Sequence, residues 1–595
     1  MEEEKKDEGI FTKQKINFHP KSEITNLLAC NNLLVLALKN GVVMRIPLQQ
    51  PDKQTEIDVP HSSGDRIAHL HLDPTGKHLL ISMAEGDVFY LHASMSKVKA
   101  LPKLKGNVIS AVGWNQQFGK DMDTGFIVVG TSKGLLFETE LVQAGQVQYW
   151  KQLYSVSDDP SQPQPIVGLE LHRCSTPPNR WCLFVATPGT LYPFAGTVSL
   201  QSTSTWTTTE HSGHLLPLFL ADARIHTLDP VPPTNGPTGL KVYPMFGDDP
   251  PTRFAWVTAV GVKYGRMDTS AADAFRMTVD DELLTHPEMN GRPDFPLGIA
   301  LTEFHLLLVY HDRLVAVSTM NEQVMYEDYL GQKFGKIGGV TRDPASGMIW
   351  VFTDKSVLRY RPVDEARYVW KIYLDRGEYL LARQHASGNQ SAFDLVLRKQ
   401  GEKLINEKKF VAAAEVLSMT NAPFEETALK FVTAEDRNGL KTFLEKKLDQ
   451  LEPMDKTRRD MLVLWLLEVH LTELGEVKSG VVPADQGPTK TEFDQARYKA
   501  LREQFRFFLG RTAVVETIKG NSESVYQMMN THGDTDSLLF FAHMLRDYDT
   551  VVNLHIQQEM HQDALKVLVS QLLITSCLRI ISVEYIINLP LSSLA

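Results

Sequence analysis

The sequence predicts a β-propeller followed by an α-solenoid, an all-β amino-terminal half and an all-α carboxy-terminal half. Three observations carry this expectation. Up to about Arg361 the apolar residues fall in short runs rich in Val, Ile, Leu, Phe and Tyr, broken by Gly, Asp, Asn and Pro turns, the signature of strands and turns. Beyond Arg361 the apolar spacing becomes helical while Gly and Pro thin out. In both halves the units repeat, the strand units loosely, as a radially repeated sheet would leave in sequence.

The chain divides accordingly into a charged start at 1–9, a propeller over 10–361, a solenoid over 362–570 and an atypical tail at 571–595. The clearest strand unit is 67–92, IAHLHLDPTGKHLLISMAEGDVFYLH, read as strand, Asp-Pro-Thr-Gly turn, buried strand, Glu-Gly-Asp turn, strand. Pro74 fixes φ, and Gly76 and Gly86 permit positive φ. Before it, 24–47 carries turns at Asn31-Asn32 and Lys39-Asn40-Gly41. After it come 108–140, 166–195, 254–267, 297–319 and 337–360, the last with an Asp343-Pro344-Ala345-Ser346-Gly347 turn that echoes 73–76. Six or seven such units fit a propeller, whose closure limits exposed sheet edges; a pair of β-sandwiches is the alternative. The Thr/Ser/Pro-rich stretch 201–237 reads as an elaborated loop.

In the second half, 364–374 (DEARYVWKIYL) and 378–386 read as a helix pair broken at Asp375-Arg376-Gly377, with Ala366, Val369, Trp370 and Tyr373 on one face. Helices are expected at 393–406, 409–418, 424–432, 440–451 and 461–474. After a Gly/Pro linker at 480–488 they resume at 492–509, 512–518, 522–530, 536–546, 551–558 and 562–568. Tyr379 with Ala382, Phe410 with Ala413 and Ala414, and Phe424 with Ala428 each place an aromatic and a small residue on one helix face, a packing signature. Short hairpins of this kind bury a core only by stacking on their neighbours.

Composition limits the function. The 595 residues are 43% hydrophobic and 22% charged, with ordinary Gly and Pro usage, which excludes collagen-like and wholly disordered chains. A net charge of −11 and the lack of a local basic patch argue against nucleic acid as a partner and against direct recruitment to anionic lipid. Cys30, Cys174, Cys182 and Cys577 are too scattered for a disulfide framework and point to a reducing, cytoplasmic compartment. The charged start lacks the apolar run of a signal peptide, which leaves the Asn389-Gln390-Ser391 sequon idle. The apolar run 567–578 ends at Arg579, short of the roughly 20 residues that span a bilayer.

Chemistry-bearing motifs are scarce. No GxxxxGK[ST] occurs, and the glycines of 331–339 (GQKFGKIGG) lack the strand and helix context of a dinucleotide site. His69 and His71 share one face of a strand and could hold a metal with His78 or His92, but zinc sites bring tightly spaced Cys or His pairs and no second pair follows. The cysteine spacing excludes a zinc ribbon or RING. No GxSxG or Ser, His and acid grouping appears, and Lys446-Lys447 and Arg458-Arg459 read as solvated helix faces. The expectation is no catalytic, cofactor-binding or metal residue, and no enzyme.

Several segments resemble one family: IFTKQKINF at 10–18, VGWN at 112–115, VGT at 129–131, Ala255-Trp256, LTEFH at 301–305, EARYVWKIYL at 365–374, FEETALKF at 424–431 and HGDT at 532–535. Together they resemble the vacuolar protein sorting-associated protein 18 family, over about 10–568. The resemblance implies a class C core subunit of the HOPS and CORVET tethering assemblies, peripheral on late endosome and lysosome or vacuole membranes. It implies as partners the class C subunits 11, 16 and 33, with SNAREs and Rab GTPases reached through the complex. Family members end in a Cys/His-rich zinc-binding RING that nothing here matches, and the likeness fades from about 571, so a truncated or alternatively spliced form is expected. A coat-like or transport-train subunit, or a propeller hydrolase, are the alternative functions.

Overall fold

A computed structural model describes residues 9–115, 121–157, 163–174, 179–198, 214–220, 226–227, 238–244, 250–271, 276–289, 291–452, 454–479 and 490–572. The chain forms two compact units, 1–372 and 373–595.

Among the described residues the first unit holds seven four-stranded antiparallel sheets, which settles the propeller over the sandwich pair and the blade number at seven. Blades 1 to 6 each use four consecutive strands, over 24–58, 67–100, 109–155, 168–227, 239–285 and 298–329. Blade 7 takes three strands from 337–362 and its outer strand from the start of the chain. There β1 (Phe11–Lys15) pairs antiparallel with Val357–Pro362, Phe11 opposite Pro362 and Lys15 opposite Leu358. That pairing closes the ring, and Tyr360 Oη supports it by donating to Asp328 Oδ2 at 2.6 Å.

The middle strands are buried from end to end, as in His78–Met83, Phe126–Thr131 and Arg180–Ala186. Each faces a neighbouring blade on both sides and therefore reads as a continuous apolar run. Trp181, Trp256 and Trp350 are among the largest fully buried side chains. Trp256 Nε1 reaches the Thr187 carbonyl of the preceding blade at 3.1 Å. Gly76 and Gly86 adopt the left-handed φ their turns require, 76° and 92°. Of the stretch 201–237, the described parts are 214–220, a turn running into the 3-10 segment Leu216–Leu220, and the outer strand of blade 4, His226–Thr227; the rest lies outside the described residues.

The second half is a succession of helices: α1 (Val369–Asp375), α2 (Tyr379–Ala386), α3 (Gln390–Asn406), α4 (Phe410–Ser418), α5 (Phe424–Thr433), α6 (Arg437–Gln450), α7 (Lys456–Ser479), α8 (Lys490–Leu509), α9 (Thr512–Gly520), α10 (Ser522–His532), α11 (Thr535–Leu545), α12 (Tyr548–Gln557) and a last helical stretch over 561–572. Short polar residues start several of them: Asn389 and Asp436 accept the N–H groups of Ala392 and Gly439 at 3.1 and 2.6 Å, satisfying otherwise orphaned donors. One continuous core runs through α4 to α12, with Phe431, Phe443, Phe505 and Phe541 fully buried. Ala382, Ala413, Ala414 and Ala428 are buried while Tyr379, Phe410 and Phe424 are half-buried, as the aromatic and alanine spacing requires.

One expectation needs correction. The helix expected from Asp364 starts only at Val369, and 365–368 form turns, because Glu365 is held by the propeller as described below. Residues 571 and 572 continue the last helical stretch, while 573–595, and with them Cys577, lie outside the described residues, as does the 480–488 linker. Among the described residues no helix is long and apolar enough to cross a membrane.

Candidate functional site

The inner strands converge on a cavity of about 260 Å³ lined by His71, Asp73, Glu170, Lys241 and Arg342 together with Ser110, Thr341 and apolar side chains. His69 and His71 do share a face, their rings stacked at 6.0 Å, and His71 Nε2 lies 3.2 Å from the Ile109 carbonyl. Burial, reinforced by the neighbouring imidazole, pushes His71 down to about 3, so it is neutral at physiological pH. His78 and His92 form a separate pair opposite each other on adjacent strands. There His78 Nδ1 meets Tyr90 Oη at 2.7 Å, and His92 Nε2 meets the Asp121 carbonyl at 2.7 Å. The four imidazoles thus fall into two pairs with their own partners, and among the described residues no three His, Cys, Asp or Glu side chains gather as a metal site.

The two echoing Asp-Pro turns tie neighbouring blades. Asp73 accepts the N–H groups of Lys77 and His78, both at 2.7 Å, and the Cys30 thiol of blade 1 donates to the Pro74 carbonyl at 2.8 Å. Asp343 accepts the Ala345 N–H at 2.9 Å and, from blade 1, the Asn31 N–H at 3.1 Å. Burial pushes the Cys30 thiol well up, with Asp343 and Asp73 adding to it. Cys174 and Cys182 are likewise buried in the core between blades 4 and 5. The glycines of 331–339 flank a one-turn 3-10 segment, Gln332–Phe334, that runs into the strand Ile337–Arg342.

At the propeller's exit, Glu365 joins two of the segments quoted above. Its Oε1 accepts the Phe304 N–H and faces His305 Nδ1, both at 3.1 Å, and also accepts the Thr302 hydroxyl. Burial alone would raise this carboxyl; the hydrogen bonds from His305 and Thr302 outweigh it and leave Glu365 below its ordinary value. The carboxylate therefore pins the chain where it leaves blade 7, which is why no helix begins at Asp364.

The solenoid carries a larger cavity, about 650 Å³, between α4, α6, α7 and α8. Asn438, Lys441, Thr442 and Glu445 give one face of α6, at i, i+3, i+4 and i+7. Opposite, α8 contributes Glu503 with Phe507 and Gln504 with Phe508, and His470 of α7 sits among them. His470 is 4% exposed, lies 5.2 Å from the Phe508 ring, and its buried Nε2 has no hydrogen-bond partner. The two basic pairs are each split between solvent and packing. Lys446 and Arg458 face solvent, whereas Lys447 Nζ donates to the Thr420 carbonyl at 3.2 Å and Arg459 sits 3.5 Å from Glu516. Reading both pairs as solvated faces therefore holds for one residue of each, because a helix turns adjacent residues by about 100°.

Sequence comparison adds to this geometry. The Pep3/Vps18/deep orange beta-propeller domain matches residues 9–361, and the first half of the VPS18 alpha-solenoid domain matches 381–547. The vacuolar protein sorting-associated protein 18 homolog of Danio rerio is 32% identical, over 96% of this chain and 56% of that protein. The homolog of Caenorhabditis elegans is 31% identical, over 94% and 58%. Vacuolar sorting protein 18 of Arabidopsis thaliana is 24% identical, over 92% and 54%. The chain thus spans about half the length of the curated relatives it matches.

Proposed function

The chain belongs to the Pep3/Vps18/deep orange family, and from that premise we propose that it is a non-enzymatic scaffold subunit of a class C membrane-tethering assembly of the HOPS or CORVET kind. It acts in vesicle docking and fusion and in protein transport to the lysosome or vacuole. The observation that carries this reading is the match of both halves in order, propeller and then solenoid, to the domains of one family; a shared architecture alone would carry no function. In this reading the closed propeller is a rigid docking body and the solenoid a succession of partner surfaces, so that several modest contacts sum to a firm assembly. The partners are the class C subunits 11, 16 and 33, with SNAREs and Rab GTPases met through the complex, and membrane association is peripheral and indirect.

Affinity purification of the tagged chain from cells tests the proposal. Stoichiometric recovery of the class C subunits is expected. Their absence, from cells in which they are present and the chain is folded, refutes it.

A further inference from the structure

The cavity between α4, α6, α7 and α8 has the features of a receptor groove. Its two walls are helix faces, and the α6 face runs about 10 Å from Asn438 to Glu445 at 1.5 Å per residue. Its apolar part is open to solvent: Phe507 is 80% exposed and Val411 47%, although both line a concave surface beside the buried Phe508.

Its charges are equal in number, Lys441 and Arg511 against Glu445 and Glu503, but unequal in pairing. Lys441 is neutralised by Glu473 at 2.9 Å, both side chains close to nine-tenths buried, and Arg511 is paired with Asp449. Glu445 and Glu503 have no hydrogen-bond or ion-pair partner among the described residues. Both cations of the lining are thus engaged by acids outside it, Glu473 and Asp449, and the two lining charges left unpaired are acids. Burial raises the Glu445 carboxyl even against the pull of Lys441, Arg511 and Lys446, a cost that a further, incoming cation would offset. The buried, unpartnered Nε2 of His470 is a polar atom left unsatisfied, and such atoms cost free energy until a ligand or water meets them.

We propose that this groove docks a basic amphipathic helix of a partner protein, its apolar side against Val411, Phe507 and Phe508 and its Lys or Arg side chains at Glu445 and Glu503. Ridges on the incoming helix would lie between the α6 and α8 faces, the helix-in-groove mode of recognition, and a hydroxyl or amide of the guest would satisfy His470. The inference stands on the groove alone and goes beyond the tethering reading, which would survive its failure.

Fluorescence anisotropy with the full chain provides the test. The probe is a labelled synthetic helical peptide with Leu along one face and Lys along the other; the control peptide has Glu in place of Lys. The Lys peptide is expected to bind and the Glu peptide not to. The paired substitutions Glu445→Gln and Glu503→Gln should weaken binding about fivefold or more. Phe507→Ala should weaken it about tenfold without lowering the melting temperature, since that ring is exposed in the free protein. Equal binding of both peptides, no binding of either, or binding unchanged in these variants overturns the proposal. So does a dimer in sedimentation velocity that Phe507→Ala dissociates, which would give the groove to a second copy of the chain.

Discussion

Gly168 stands where the inner strands of blades 4 and 5 approach closely, and replacing it by Ala probes the ring directly. A Cβ there would lie 2.4 Å from Leu240 Cβ and 3.0 Å from Leu240 N. Both obstacles belong to blade 5 close to its backbone, so no side-chain rotation relieves them, and the two strands must part by about 1 Å to restore ordinary contact. Leu240 is fixed in turn within the buried cluster of Phe184, Phe254 and Trp256. Overpacking of this kind costs ~1–3 kcal/mol. Ala also restricts the unfolded chain, which returns ~0.4–1 kcal/mol, leaving a net loss of roughly 1–2 kcal/mol. Gly189, in the same blade, is the control: nothing lies within 4 Å of its added Cβ and its φ is not left-handed, so Gly189→Ala should stabilise by the entropic ~0.4–1 kcal/mol alone. Denaturant unfolding followed by tryptophan fluorescence would read Trp181 and Trp256, which flank these strands. The two variants should move the propeller midpoint in opposite directions. A Gly168→Ala midpoint at or above the parent, or equal shifts for both, would refute the close-packed geometry.

Glu365→Ala should destabilise the propeller by roughly 2–4 kcal/mol, because the Phe304 N–H and His305 lose a charged acceptor while remaining buried; amide exchange at Phe304 should quicken, and Glu365→Gln should recover part of the loss. His470 is held near 3 by burial and by Lys441, below its unfolded value of roughly 6.5. The unfolded chain therefore takes up this proton first, and stability falls as pH drops from 6.5 towards 3, by about 2 kcal/mol at pH 5; His470→Phe should flatten the acid limb of the solenoid's midpoint against pH. Phe443→Ala empties a fully buried site between Phe424 and Phe431 and should cost ~3–5 kcal/mol, read as a lower solenoid midpoint in urea.

What was legible in the sequence followed burial. Inner and middle strands such as Ile67–Leu72, His78–Met83 and Val88–His92 stand out as apolar runs between turn residues. Outer strands do not: Thr278–Thr285 is mostly exposed and Val324–Tyr329 half exposed, with no buried residue in either, and a polar edge strand resembles a loop. The inner strand Gly239–Tyr243 was hidden for another reason, its short run following the Pro-rich 228–237 stretch. Helix existence was plain from spacing, while starts shifted wherever tertiary contacts intervened, as Glu365 does before Val369. The groove was the least legible feature. Glu445, His470 and Glu503 lie on three helices, and each alone reads as an ordinary charged or core residue; only packing brings them together.

Closure of the ring by β1 has a consequence for the order of events on the ribosome. Gln14 and Arg359, hydrogen-bonded across that last pairing, lie 345 residues apart. At roughly 5–20 residues per second, the first strand waits about 20–70 seconds for its partner to be synthesised. During that interval its edge is open, and an open edge invites pairing with the wrong chain. The segment Phe-Thr-Lys-Gln-Lys is suited to the wait: Lys13 and Lys15 discourage intruding strands, and Lys13 finds Asp328, at 2.7 Å, only once blade 6 exists. Newly made propeller is thus complete only after the whole of blade 7 has emerged, by which time translation has already reached the first helices of the solenoid.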